Sequence, residues 1–244
     1  FPSIQLTVQY RMAPSISKFP SDHFYKKSLV NHPTCKDRPD SKRFRAVMKG
    51  IPGIPGKHQP GNSYFVSVKN SEVWRPKGSH SLFNPQYVVC VGLVAQALVR
   101  GGFKEEQILI LSYYNEERRI IGQFLHKHHS YEKIRISSVD GAQGNESDVV
   151  ILSTTRPGGN FGLGFVADVQ RQCVAMTRAR DGLVIVGDVD MARRKTSSGF
   201  VAWNEAIIHL KREQCIISAE PGSKPLQKAL NIPDPNRHDK MEVR

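Results

Sequence analysis

Acidic residues are scarce in this 244-residue chain: 22 Asp and Glu stand against 35 Lys and Arg, a formal net charge of +13. The imbalance favours a polyanionic partner, although a basic surface can also serve solubility alone. It is concentrated at the start, where residues 1–60 hold eleven Lys/Arg against three Asp and no Glu. Long apolar runs are missing as well. None approaches the length of a bilayer-spanning helix, and no signal-peptide pattern opens the chain. Cysteine is sparse: Cys35, Cys90, Cys173 and Cys215 lie far apart, with no Cys-x-x-Cys pair and no His at metal spacing. That excludes a zinc knuckle and predicts an intracellular protein with reduced thiols, nucleus or cytoplasm left open. His126, His128 and His129 cluster with Lys127 at a helix end, where a solvated, dipole-favoured tail is expected rather than a metal site. The first residue, Phe1, is not a start methionine, so the chain reads as a piece of a longer protein.

What is present alternates. Helices are predicted over 15–25, 85–100, 115–128, 168–179 and 199–211, and strands over 63–68, 107–112, 134–139, 149–154, 183–187 and 214–218. Asn84-Pro85 starts the second helix and Gly101-Gly102 ends it. Strands that are apolar throughout, separated by helices, predict an α/β fold with a parallel sheet covered on both faces. The stretch 31–62, rich in Pro, Gly and charge and including Ile51-Pro-Gly-Ile-Pro-Gly56, is expected to be a long surface excursion, and 220–244 a mobile charged tail. Ligands in such folds sit beyond the carboxyl ends of the strands. That rule puts Ser112–Asn115, Asp140–Glu146 and Thr154–Arg156 on one rim.

Three segments carry candidate chemistry. In Leu6-Thr-Val-Gln-Tyr-Arg-Met12, Tyr10 can stack on a base while Arg11 reaches a phosphate; a strand end with a surface arginine is the plainer reading. In Val139-Asp140-Gly141-Ala142-Gln143-Gly144-Asn145-Glu146, two glycines admit a ligand close to backbone N–H groups and Glu146 can accept from a ribose; a solvated loop is equally compatible. In Val174-Ala175-Met176-Thr177-Arg178-Ala179, the planar fork of Arg178 suits a phosphate, or is a surface cation on an amphipathic helix.

In this order the three segments resemble motifs IV, V and VI of superfamily 1 helicases, in the group that includes the nonsense-mediated-decay helicase and senataxin. The resemblance runs from about Gln5 to Ser218. It implies a RecA-like P-loop NTPase fold, here the second motor lobe over 1–219. By it, Arg11 and Arg178 are the arginines that reach the γ-phosphate of ATP, Tyr10 packs on adenine, Gln143 and Gly144 line the cleft, and Glu146 contacts the ribose. Ser138 stands where a nucleic-acid phosphate is touched. Ser112-Tyr113-Tyr114-Asn115 resembles the family's strand-end element, which puts Ser112 and Tyr114 near a single strand of RNA or DNA. The sequence departs from the family pattern at Ala13, Tyr113, Glu117, Gly141-Ala142 and Cys173, and none of these removes a phosphate ligand.

No Gly-x-x-x-x-Gly-Lys-Ser/Thr and no Asp-Glu pair after an apolar strand occurs in the 244 residues. The phosphate cradle and the Mg²⁺ carboxylate are therefore expected on a first lobe outside this chain, which makes this fragment inactive alone. The resemblance implies an ATP-dependent 5′-to-3′ helicase that draws its two lobes together around ATP. The alternative is a non-cycling module that binds nucleic acid or protein.

Overall fold

The computed structural model describes residues 6–51, 61–158, 162–193 and 198–219. Its elements, in chain order, are β1 (Val8–Gln9), α1 (Pro14–Phe24), β2 (Val30–Asn31), α2 (Pro39–Lys49), β3 (Ser63–Val68), α3 (Pro85–Arg100), β4 (Ile108–Ser112), α4 (Asn115–His129), β5 (Arg135–Ser138), β6 (Ser147–Ser153), α5 (Val169–Met176), β7 (Ala179–Gly187), α6 (Ser198–Arg212) and β8 (Ile216–Ala219). Strands β3 to β8 form one parallel sheet in the order β5-β4-β6-β7-β3-β8. Strands β1 and β2 pair separately, also in parallel.

The two-sided burial expected of a parallel sheet is present. Ile108 to Leu111 and Val149 to Leu152 are at most 2% exposed. Helices α2, α3 and α4 pack together on one face, and α1, α5 and α6 on the other. Alternation along β7 explains how both faces fill. Leu183 and Ile185 line a small apolar space beside α1 and α6. Gly182, just before them, faces α2. A Cβ there would lie 2.2 Å from Phe44 Cδ2, so only glycine lets that ring reach the sheet. The α/β class predicted from the alternating pattern, and the RecA-like fold that the resemblance implies, are thus the observed ones.

Two expectations change. The excursion over 31–62 contains α2, whose Ser41, Phe44 and Met48 are buried against the sheet. Its remainder over 52–60 and the tail over 220–244 lie outside the described residues. Strand β7 begins at Ala179, four residues before the apolar run, because Ala179 pairs with Ser147 despite the polar Arg180 and Asp181 that follow.

The third correction is topological. Strand β5 lies outside β4 while β6 lies inside it, and all three are parallel. The connection over 139–146 therefore starts at the carboxyl edge of the sheet and ends at the amino edge. Arg135, which opens β5, marks that far end by donating to Glu146 O at 3.1 Å. Glu146 is consequently not on the rim that holds Ser112 and Thr154.

Candidate functional site

The amino edge gathers Arg11, Glu146 and Arg178. Gln9 shapes the first of these. Its Oε1 accepts from Arg11 N–H and Met12 N–H at 3.0 and 2.7 Å, while its Nε2 donates to Met12 O at 2.8 Å. The bend so formed is tied to β7 by Ala13 N–H donating to Arg180 O at 2.7 Å. Arg11 Nε then meets Glu146 Oε2 at 2.5 Å, and its Nη1 donates to Thr177 O at 3.1 Å. Arg178 leaves the end of α5. It donates to Val174 O, Asn145 O and Thr177 Oγ1 at 3.0, 3.3 and 3.2 Å. Burial, and then the neighbouring Arg11 guanidinium, push its pKa below the ordinary arginine value. A half-buried cation with only neutral hydrogen-bond acceptors among the described residues is short of an anion.

These residues line an open cleft of about 390 Å³, together with Leu6, Val8, Gln9, Tyr10, Met12, Tyr25, Leu29 and Thr177. Tyr10 is 61% exposed and its ring lies 4.2 Å from that of His32. Gln143 and Gly144 are exposed in the crossover and stand outside the residues that line this cleft.

The carboxyl edge is built differently. The register aligns Ser138, Ser112 and Ser153 across β5, β4 and β6. Ser112 is 0% exposed: its hydroxyl accepts from Tyr114 N–H at 3.2 Å and lies 3.2 Å from that of Thr155. The strand end turns this hydroxyl inward. Beneath it, Glu117 is also fully buried, accepting from Ser153 Oγ at 2.5 Å and Asn84 N–H at 2.7 Å. Burial pushes its carboxyl up to about 7. Thr155 holds φ at +60° in a tight turn closed by Arg156 N–H donating to Thr154 O at 2.5 Å. A β-branched residue in that region is strained, and such strain concentrates at functional sites. Ser138 is half-buried and accepts from Gly141 N–H at 2.9 Å. Tyr114 is 5% exposed and its hydroxyl accepts from Arg156 Nε at 2.9 Å.

Residues 1–190 match the model of a family described as AAA domain. The chain belongs to that family. Among curated relatives, an ATP-dependent helicase of Saccharomyces cerevisiae named NAM7 is 34% identical over 221 residues, covering 88% of this chain and 21% of the relative. A regulator of nonsense transcripts 1 from Caenorhabditis elegans is 33% identical over 233 residues, 93% of this chain and 20% of the relative. An ATP-dependent helicase of Schizosaccharomyces pombe is 31% identical over 244 residues, 98% of this chain and 24% of the relative. The chain thus spans about a fifth of the length of these proteins. Within the AAA domain family, it is a superfamily 1 helicase region of the nonsense-transcript-regulator type.

Sequence reasoning about this family member missed several residues that build the two edges. Arg38 donates through Nη2 to both Arg11 O and Arg180 O, at 2.7 and 2.8 Å, and its Nε lies 3.0 Å from Asp181 Oδ1. It was hidden in a run of seemingly equivalent basic residues. Tyr25 lines the cleft, with its hydroxyl 3.7 Å from Cys173 Sγ. Phe165 and Arg171 flank the carboxyl edge, and the only local signal was an aromatic set among glycines. Asp40, Asp148 and Asp181 offer carboxylate oxygens within 4.8 Å of one another. Arg43, Arg180 and Arg38 lie at 2.8, 3.7 and 3.0 Å from them, so the trio fits a charge network.

Proposed function

We propose that this chain is the second motor lobe of an ATP-dependent helicase, with its amino edge facing a nucleotide held by another lobe and its carboxyl edge facing a single strand. The observation that carries the reading is Arg178, a half-buried guanidinium beside Arg11 whose bonds go only to neutral oxygens. A terminal phosphate supplies the missing anion and takes both guanidiniums at once. Tyr10 is exposed where an adenine can stack, and Glu146 is placed to trade Arg11 for a ribose hydroxyl. The 244 residues lack a phosphate-binding glycine loop, so the phosphates and the Mg²⁺ bound to them are held mainly by the other lobe.

The coupling is geometric. Helix α5 begins at the carboxyl edge, where Arg171 makes a two-pronged bond to Asp140 at 2.9 and 3.0 Å, and it ends beside Arg178 at the amino edge. The 139–146 crossover likewise joins Ser138 to Glu146. Engagement of phosphate at one edge thus pulls on two connectors that end beneath the other, and its release relaxes them. Relatives named as regulators of nonsense transcripts favour RNA as the strand.

The test is strand-stimulated ATP hydrolysis by the full-length protein. Arg11→Ala and Arg178→Ala are each expected to lower turnover by about 10³-fold or more, the range for an arginine that stabilises the transferring phosphate, while strand affinity stays within about twofold. Normal turnover in both variants removes the reading. Stimulation by DNA alone reassigns the strand.

A further inference from the structure

Phe165 is 57% exposed, although burying a phenylalanine is favourable. The other strongly exposed apolar side chains, Leu6, Val8, Tyr10 and Val30, belong to the amino edge and its small sheet. Phe165 stands apart from them at the carboxyl edge, and the backbone keeps it there. Its neighbours Leu163 and Val166 are 1% and 0% exposed, and Val166 O accepts from Trp203 Nε1 and Gln172 Nε2 at 2.8 and 3.0 Å. Gly164 has φ +53°, and a Cβ there would stand 2.7 Å from the Tyr114 hydroxyl. The segment is thus anchored on its inner side and holds the ring outward.

The surroundings are planar and cationic. The Tyr114 ring lies 5.7 Å from Phe165, tilted by 47°. The Arg171 guanidinium lies 5.4 Å from the Phe165 centroid, and that of Arg156 lies 5.6 Å from the Tyr114 centroid. Asp140 holds Arg171 in place, and the strained turn at Thr155 aims Arg156. An exposed apolar ring with one guanidinium over it and a second over the neighbouring Tyr114 ring, on a chain of net charge +13, is complementary to a base and its flanking phosphates.

We infer that Phe165 is a stacking platform for an unpaired nucleobase, with Arg156 as the adjoining phosphate contact and Tyr114 and Arg171 as its supports. This rests on the reading that the carboxyl edge holds a single strand. It adds the residue that grips the strand through a base rather than through its backbone.

The experiment compares a uridine oligonucleotide with an abasic oligomer of equal length, titrated at fixed salt into the full-length protein and followed by fluorescence anisotropy. Phe165→Ala is expected to weaken binding of the uridine oligomer by about 5- to 100-fold, the range for losing one stacked base, and to leave the abasic oligomer unchanged. Phe165→Trp is expected to restore the uridine affinity. An unchanged affinity in Phe165→Ala, or an equal loss on both oligomers, overturns the stacking role. So does loss of a protein partner with strand binding intact. Failure of the unsubstituted protein to bind either oligomer instead removes the strand reading on which this proposal rests.

Discussion

The two edges of the sheet solve opposite problems. At the amino edge, charged side chains are held at the surface by backbone atoms: Arg11 by the Gln9 bend and Thr177 O, Arg178 by the end of α5. Positive charge there exceeds what Glu146 offsets. At the carboxyl edge the polar groups point inward. Ser112, Ser153, Thr155 and Glu117 satisfy one another below the surface, and of the layer above them Arg156 and Phe165 face out beside the buried Tyr114. The first edge lacks an anion that something else must bring. The second is internally complete and stores strain at Thr155. That asymmetry suits the proposed lobe, which would close on a phosphate at one end and hold a strand at the other.

The largest expected effect tests the first half of the comparison. Arg38 has a side chain only 15% exposed and pairs with Asp181 at 3%. The same guanidinium holds the carbonyls of Arg11 and Arg180. Arg38→Ala strands a buried carboxylate, which costs about 3–5 kcal/mol, and frees the bend that presents Arg11. Chemical denaturation should show that loss, and strand-stimulated ATP turnover should fall even where the variant remains folded. If stability falls and turnover per folded molecule does not, Arg38 supports only the fold and the amino edge presents Arg11 without it.

Arg38 also shows where the sequence stopped being informative. Most strands of the sheet were legible as apolar runs, β5 with its Arg-Ile-Ser-Ser being the exception, and α3 because Asn84 and Pro85 announce it. Helix α2 was not, because only Ser41, Phe44 and Met48 of its eleven residues are buried and the rest look like a charged loop. Arg11, Glu146 and Arg178 could be picked from motif order, yet the edge they occupy could not. The rule that ligands sit at the carboxyl ends gave the wrong rim for Glu146, since pairing order is a long-range property that no local pattern encodes. The direction of the Ser112 hydroxyl was illegible for a related reason: a hydroxyl at a strand end can turn either way, and here Thr155 and Tyr114 take it.

The next effect tests the buried network. Glu117 titrates near pH 7 in the fold, because burial disfavours its charge, against about 4.3 in an unfolded chain. The folded state therefore holds the proton more tightly. The stability this contributes is complete below about pH 4.3 and is lost as pH rises through about 7, at most roughly 4 kcal/mol. Glu117→Gln imitates the protonated form and can still bond Ser153 and Asn84. The variant and the unsubstituted protein should match at pH 4, with the variant more stable by about 2–4 kcal/mol at pH 8. Urea midpoints at the two pH values decide it. A gap that is the same at both means that Glu117 does not titrate in this window.

The smallest effect distinguishes the edges most directly. Arg156 follows the strained turn and bonds Tyr114, but belongs to no part of the amino edge. If it meets a strand phosphate, Arg156→Ala should weaken strand binding only severalfold, by a similar factor on every sequence, and lower the slope of log affinity against log salt by about 1. Turnover at saturating strand should stay within about twofold, because the arginines proposed to meet the nucleotide are untouched. Affinity measured across a salt series, beside turnover at saturation, separates the two quantities. A variant that loses turnover at saturation while keeping its salt slope would mean that the carboxyl edge acts on the nucleotide cleft directly, through α5 and the crossover, rather than by holding the strand.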